Sequence, residues 1–441
     1  MVASDLEDWP GVLHREGRTL CRLPRDPSES GPGPAAKGQG AVFHNPAMSG
    51  SRTRSVLLLQ HCIEAGLLGE GTIYALDGLS ASGLRARRWL NELPAQSAAR
   101  ISAAMGDMDP VALEWAMRCH EEFPPEHGEG ELLPHLGDLR KSVLEHGRHW
   151  VDIDPYGSPL PFLDTAIQSL ARRGVAEISA TDSAALTGSS KNALLRRYGA
   201  RVRTDGLAHD SGLRVLLATV ARTAARHERA IEPLLSIWES HHLRVSVRVR
   251  RSVERANDVE ESIGWRVASP TVEEVSSSIQ AGMHPDTGLD SLPMHCLLPL
   301  SHPVDRSDKR ISGPMWIGPV GQSDAMASMT EERALELCGP NSIEDDPAGW
   351  SDRDFERERR RVARSVRHIS EEAMVIDAHH LILVDDLASW LGSGSPPSPS
   401  GMVKTLCETG HRAAVAHYGK PAFRTDAPWD AIVSAARLWV K

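Results

Sequence analysis

Four successive apolar segments of this 441-residue chain arrive at an aspartate, and that pattern limits the fold more than any other feature. Thr72–Leu76 runs into Asp77, Ile101–Met105 into Asp107, a short segment into Gly137-Asp138, and His149–Ile153 into Asp154. Helical stretches separate them: LRARRWLNEL at 84–93, then a helix opening at Pro110, a residue well suited to a first turn. Pro161–Ala171 and Lys191–Tyr198 read as helices on either side of the strand VAEISAT at 175–181. Strands alternating with helices predict an α/β, doubly wound parallel sheet of Rossmann-like form. In such sheets ligands sit outside the carboxyl ends of the strands, so four acidic strand ends form a candidate ligand rim. Helix N-caps also favour aspartate in any such fold, which would account for one or two of the four.

The turn Asp77-Gly-Leu-Ser-Ala-Ser-Gly83 joins a strand to a helix with mostly small residues. It lets the backbone approach a ligand at a helix N-terminus. Asp107 is placed to hold ribose hydroxyls, and Asp138 an adenine amine. The stretch Asp152-Ile153-Asp154-Pro155-Tyr156-Gly157 sets a carboxylate, a proline carbonyl and an aromatic ring at a strand end. Enzymes that alkylate the exocyclic amine of a nucleobase need that set: two acceptors for the NH2 group and a ring to stack on the base. Asp152 lies inside the strand and reads as structural.

Composition narrows the class. A hydrophobic share of 41% and a charged share of 24% belong to a globular chain of two or three domains. No run of eighteen apolar residues predicts a membrane span. The acidic start lacks the apolar core of a secretory signal. Six cysteines without a CxxC pair predict a reducing, cytoplasmic setting and no cysteine metal site. The net charge of −10 sits uneasily with a nucleic-acid partner, but arginine is locally clustered. Arg196 and Arg197, with Arg201 and Arg203, make one candidate RNA-binding patch. Arg248 and Arg250 make a second, on the outer face of RVSVRVR at 244–250, whose strict alternation predicts a half-buried strand. The Ser351–Ile369 helix carries a third set of arginines, interleaved with acids as in a solvated helix.

Residues 1–40 read as irregular, with SESGPGPAAKGQG as a Gly/Pro/Ser loop. A boundary near 255 divides a domain at 41–255 from a C-terminal one at 256–441. Within the latter, DDLASWL and GMVKTLCETG predict two short helices, and AAVAHYG and AFRTD two short strands, a winged-helix-like set.

The ordered motifs resemble the tRNA guanine-26 N2-dimethyltransferase family. They are EG at 16–17, VFHNPAMSGSR at 42–52, DGLSASGLR at 77–85, DIDPYGSPLPFLDTA at 152–166, GPMWIGPV at 313–320 and HYGKPAFRTDAP at 417–428. The resemblance implies an S-adenosylmethionine-dependent methyltransferase domain followed by a smaller tRNA-binding domain, working as a monomer on tRNA. By position it implies cofactor contacts at Arg52, Asp77, Arg85, Asp107, Asp138 and Leu139. It makes Asp154 the catalytic carboxylate, with Pro155, Tyr156, Phe43 and Asn45 around the base. The DPYG tetrapeptide alone would also allow an amino-methyltransferase for another nucleobase in RNA or DNA, and a non-catalytic RNA-binding protein is the alternative from a different class. Many family members carry a four-cysteine zinc site ahead of the GPxW motif. Here that region holds only Cys296, so no metal is expected and a hydrophobic mini-core is expected instead.

Overall fold

The computed structural model describes residues 6–26, 42–240, 242–284 and 291–439. The Gly/Pro/Ser loop at 28–40 lies outside the described residues. The segment before residue 41 is not irregular throughout. β1 (Val12–Glu16) and β2 (Thr19–Leu23) form an antiparallel hairpin. Its turn uses Gly17 at φ 57°, a conformation glycine adopts without a Cβ clash. Short strands with charged residues hide such a hairpin from a hydrophobicity reading.

The central sheet has seven strands: β3 (Ile73–Asp77), β4 (Ile101–Asp107), β5 (Glu131–Leu136), β6 (Arg148–Ile153), β7 (Leu170–Ala180), β8 (Arg229–Glu239) and β9 (His242–Arg251). Their order is β5-β4-β3-β6-β7-β9-β8. β3 pairs in parallel with β4 and β6, and β4 with β5, as the alternation of strands and helices requires. β8 and β9 run antiparallel. Their connection is too short for the crossover that a parallel pair needs. The sheet is therefore mixed at that side.

The chain forms two compact units, drawn differently from a single cut near 255. One comprises Met1–Asp154, Gln168–Glu177 and Ser328–Arg367; the other comprises Pro155–Ile167, Ile178–Ala327 and His368–Lys441. In the first, Trp115, Cys119, Leu84 and Leu23 form a buried cluster that ties the hairpin to the Leu84–Glu92 and Pro110–Glu122 helices. Beside it lies a sealed charge network. Glu16 accepts two hydrogen bonds from Arg52 at 2.6 Å and one from Arg88 Nη1 at 3.0 Å, while Arg88 also pairs with Glu92 at 2.6 Å. Each guanidinium meets carboxylates in the fork geometry that such pairs favour.

In the second unit, β10 (Ile263–Ala268), β11 (His295–Pro299) and β12 (Ile311–Trp316) make a sheet of order β11-β10-β12. Trp265, Val267, Cys296, Leu298 and Ile311 pack on it as an apolar cluster. Cys296 is thus a core residue, its thiol pushed up to about 12 by burial. All six cysteines are free thiols; five are buried and Cys407 is exposed. β13 (His380–Leu383), β14 (Ala413–Val415) and β15 (Ala422–Thr425) form a third sheet, order β13-β15-β14. The helices Val384–Leu391, Pro399–Glu408 and Trp429–Arg437 complete that region around Phe423 and Trp429. The expected helix, helix and hairpin are there, joined by one further strand and a terminal helix. Also in this unit, the buried carboxylate of Glu372 accepts from Arg424 Nε at 2.7 Å and from the backbone N–H of His417 at 2.7 Å. The Nδ1 of His417 lies 2.6 Å from it and Nε2 2.9 Å from the Ser236 carbonyl, so both ring nitrogens face oxygen acceptors.

Candidate active site

The register of β3 on β6 sets Asp77 directly opposite Asp152, one strand spacing apart. Two residues on, Asp154 ends the first unit's main segment. One guanidinium serves this group: Arg85, in the first turn of the Leu84–Glu92 helix, holds Asp154 Oδ2 at 2.8 Å through Nη2 and lies 3.4 Å from Asp152 Oδ2 through Nε. Arg85 thus bridges two of the three carboxylates, Asp152 and Asp154. The consequence appears at Asp77, which is buried and has no hydrogen-bond partner at Oδ2 among the described residues. Burial, and next the negative charge of Asp152, push its carboxyl up to about 7, with Arg85 opposing and Asp154 adding to the rise. An excess of buried negative charge at strand ends suits a cationic ligand.

The turn between β3 and the helix is built for close approach. Gly78 donates its N–H to the Asp152 carbonyl at 3.0 Å, and a Cβ there would lie 2.4 Å from Leu139 Cδ1 and 2.8 Å from that carbonyl oxygen. Ser80 donates to the Gly106 carbonyl at 2.9 Å, and Ala81 donates to Asp107 Oδ2 at 2.9 Å. Gly83, at φ 65°, caps the helix against Met105 and Ala116. Asp107 is thus the strut of the turn, its second oxygen taking the N–H of Asp109 at 3.0 Å. Asp138 is the N-cap of the short helix Leu139–Ser142, accepting from the Arg140 N–H at 2.8 Å. The Arg140 side chain and this backbone bond draw its carboxyl down to about 2. The capping role accounts for Asp138 as placed, and in part for Asp107. The β3 and β6 ends are not explained by capping.

The other predicted residues fall as follows. Arg52 is buried on the Ser49–Glu64 helix with its fork on Glu16 and a third bond, 3.0 Å, to the Asn45 carbonyl. Asn45 caps the turn at Pro46–Met48 through its side chain. Phe43 is half-buried in the same segment. In the second unit, Pro155 is buried and Tyr156 is 54% exposed. Gly157 anchors that segment, donating to Thr181 Oγ1 at 2.6 Å and accepting from the Thr181 N–H at 2.9 Å. Sequence reasoning missed the part of Arg88 and Glu92; a helix whose face carries two adjacent arginines and a glutamate four residues on was the available signal.

A match to the family model described as N2,N2-dimethylguanosine tRNA methyltransferase spans residues 32–437. The chain belongs to that family. Among family relatives, the tRNA (guanine(26)-N(2))-dimethyltransferase of Thermococcus kodakarensis is 29% identical over 90% of this chain and 93% of its own. The enzyme of that name from Aeropyrum pernix is 29% identical over 96% of each chain. A solved structure of Trm1 from Pyrococcus horikoshii with S-adenosyl-L-methionine has the same fold, with a TM-score of 0.72 at 23% identity over 96% of this chain and 99% of that one.

Among the described residues, one group has side-chain atoms placed as a metal site would need: His14, Glu16 and His44, within 4.8 Å of one another. Glu16 is already neutralised there by Arg52 and Arg88, which hold its carboxyl well below the usual range against the cost of burial. Burial lowers both His14 and His44. A neutralised carboxylate beside two guanidiniums is a poor cation site, and we assign the group to the ion-pair network.

The predicted RNA-binding arginines differ in availability. Arg196 and Arg197 are exposed on the Lys191–Tyr198 helix, and Arg197 holds Asp182 at 3.1 Å. Arg248 and Arg250 both turn to Glu232, which Arg255 also holds at 2.8 Å. The outer face of β9 is therefore partly neutralised by β8 rather than an open basic stripe.

Proposed function

We propose that this chain methylates the exocyclic N2 of guanine 26 in tRNA, adding one or two methyl groups, with S-adenosylmethionine as donor. The observation that carries the reading is the group of three carboxylates around one arginine at the β3 and β6 ends, within the family's motif order. S-adenosylmethionine supplies an activated methyl group on a sulfonium, and it carries an α-ammonium as well. Both positive charges suit an acidic rim. Gly78 lets Leu139 and the Asp152 carbonyl pack directly against the turn, and Asp77 Oδ2 offers an acceptor with no partner among the described residues. The family resemblance assigns Arg52, Arg85, Asp107, Asp138 and Leu139 to the cofactor.

Guanine N2 is a weak nucleophile because its lone pair is drawn into the ring. Asp154 accepts one N2–H, and the Pro155 carbonyl that follows it in the chain accepts the other. Held so, the lone pair points along the line of attack at ~3–3.5 Å, the separation a reactive conformer needs. As the N–C bond forms and the C–S bond breaks, positive charge grows on N2 and its proton passes to Asp154. Asp152, sealed in β6, positions Arg85 and does not touch the base. Tyr156, exposed next to Pro155, is the ring we expect to stack on the base. The target guanine leaves its stack at a cost of a few kcal/mol, which phosphate contacts offset.

The test pairs the natural protein with Asp154→Asn on an unmodified tRNA transcript, with nucleosides read by mass spectrometry. We expect mono- and dimethylguanosine from the natural protein, abolished when guanine 26 is replaced. Asp154→Asn should lower kcat by roughly 10²–10⁴-fold, the span of a lost proton acceptor, with cofactor affinity nearly unchanged. Methylation at another nucleotide, or a variant with normal turnover, would refute the reading.

A further inference from the structure

The Asp352–Arg364 helix of the first unit divides sharply into two faces. Phe355, Val362 and, just past its end, Val366 and Ile369 are buried. Arg353, Arg357, Arg360, Arg364 and Arg367 are all exposed. Arg353, Arg357, Arg360 and Arg364, spaced four, three and four residues apart, form a single row on a helix of 3.6 residues per turn, and Arg367 follows in the turn beyond its end. Acids accompany only the start of the row: Asp354 pairs with Arg357 at 2.9 Å, and Glu356 with Arg360 at 2.8 Å. From Arg359 to Arg367 the sequence RRRVARSVR contains five arginines and no acid. Arg353, Arg364 and Arg367 have no ion pair among the described residues.

A solvated helix would mix its charges along its whole length. This one collects positive charge at one end of one face, in a chain whose net charge is −10. Its flank also has room for a ligand. A cavity of about 500 Å³ is lined by Arg357, Arg361, Trp350, Arg15 and His14, with Asp354 and Glu358 at its wall. A space of that size accommodates a nucleotide, and Trp350 offers a ring beside the row.

We infer that this arginine row is the phosphate-docking surface of the first unit, gripping the tRNA backbone away from the target nucleotide. The inference rests on the proposed tRNA reading and names where part of the affinity comes from. Phosphate contacts of this kind are charge-driven, sequence-independent and weakened by salt.

The experiment compares the natural protein with Arg360→Gln/Arg364→Gln/Arg367→Gln in tRNA binding across a salt series, beside steady-state methylation. We expect the triple variant to bind tRNA at least ten-fold more weakly at low salt, raising KM with kcat at saturating tRNA unchanged. The slope of log affinity against log salt should shrink by about 2–3, close to one per lost phosphate contact. The corresponding triple lysine variant should restore most of that slope, because charge and not fork geometry makes the contact. Cofactor affinity and melting temperature confirm that the fold is intact. An unchanged slope and KM in the glutamine variant would overturn the docking surface while leaving the methyltransferase reading in place. No tRNA methylation by the natural protein would instead overturn the reading on which it rests.

Discussion

Asp77 in the first unit and Glu372 in the second are both sealed carboxylates beside arginine, yet their protons are held in opposite ways. Asp77 adjoins the Asp152–Asp154 pair that Arg85 bridges, and its carboxyl rises to about 7. Glu372 is held by both His417 and Arg424, and despite burial its carboxyl falls to about 2. Burial alone would raise both. The count of cations per carboxylate decides the sign. The second unit has spent its charges on holding β13–β15 and the residues around them together. The first keeps a surplus of negative charge where a ligand is expected, which is what a site does and a scaffold avoids.

The contrast can be broken at either end. Glu372→Gln should be the most damaging change, because Arg424 would be left buried without its carboxylate. A loss of about 3–5 kcal/mol is expected from denaturant unfolding, and a loss under 1 kcal/mol would show that the network is not structural. Asp77→Asn should act the other way. In the natural protein the folded state keeps the Asp77 proton that the unfolded chain releases near pH 4, so stability falls as pH rises from about 4 to about 7. That group withdraws up to about 4 kcal/mol over the window, at 1.36 kcal/mol per unit. The asparagine variant should flatten the fall and be the more stable protein at pH 8; a profile parallel to the natural one would contradict the crowded-carboxylate account. For Glu372 the window is the reverse, its contribution present above about 4.5 and lost as pH drops toward 2. The smallest effect is on the ligand itself. A cationic cofactor placed near Asp77 should expel its proton, so binding near pH 7 should release up to about half a proton. Calorimetry in buffers of different ionisation enthalpy reads this directly, and no release would separate the cofactor from Asp77.

Much of this was legible in sequence. Strands β3, β4 and β6 announced themselves as apolar runs closing on aspartates, and RVSVRVR as an alternating strand. The apolar cluster around Cys296 was legible too, from the lack of other cysteines. What escaped were features that depend on partners distant in the chain. VLHRE and TLCRL are too short and charged to read as strands until they pair. Arg248 and Arg250 look like an open basic face until Glu232 on β8 arrives opposite them. Asp138 also caps the Leu139–Ser142 helix, a local role that the strand-end pattern does not show. The gathering of three acids near Arg85 follows from the β3–β6 register, which no local pattern encodes.

The cysteine distribution has a practical consequence. Five thiols are enclosed, and burial makes four of them, Cys21, Cys119, Cys296 and Cys338, reluctant to ionise. Cys407, on the outside of the Pro399–Glu408 helix, is the one accessible to reagents. Nature has thereby left a single addressable handle on the native chain, where a maleimide dye could be attached without engineering and used to watch substrate engagement in real time.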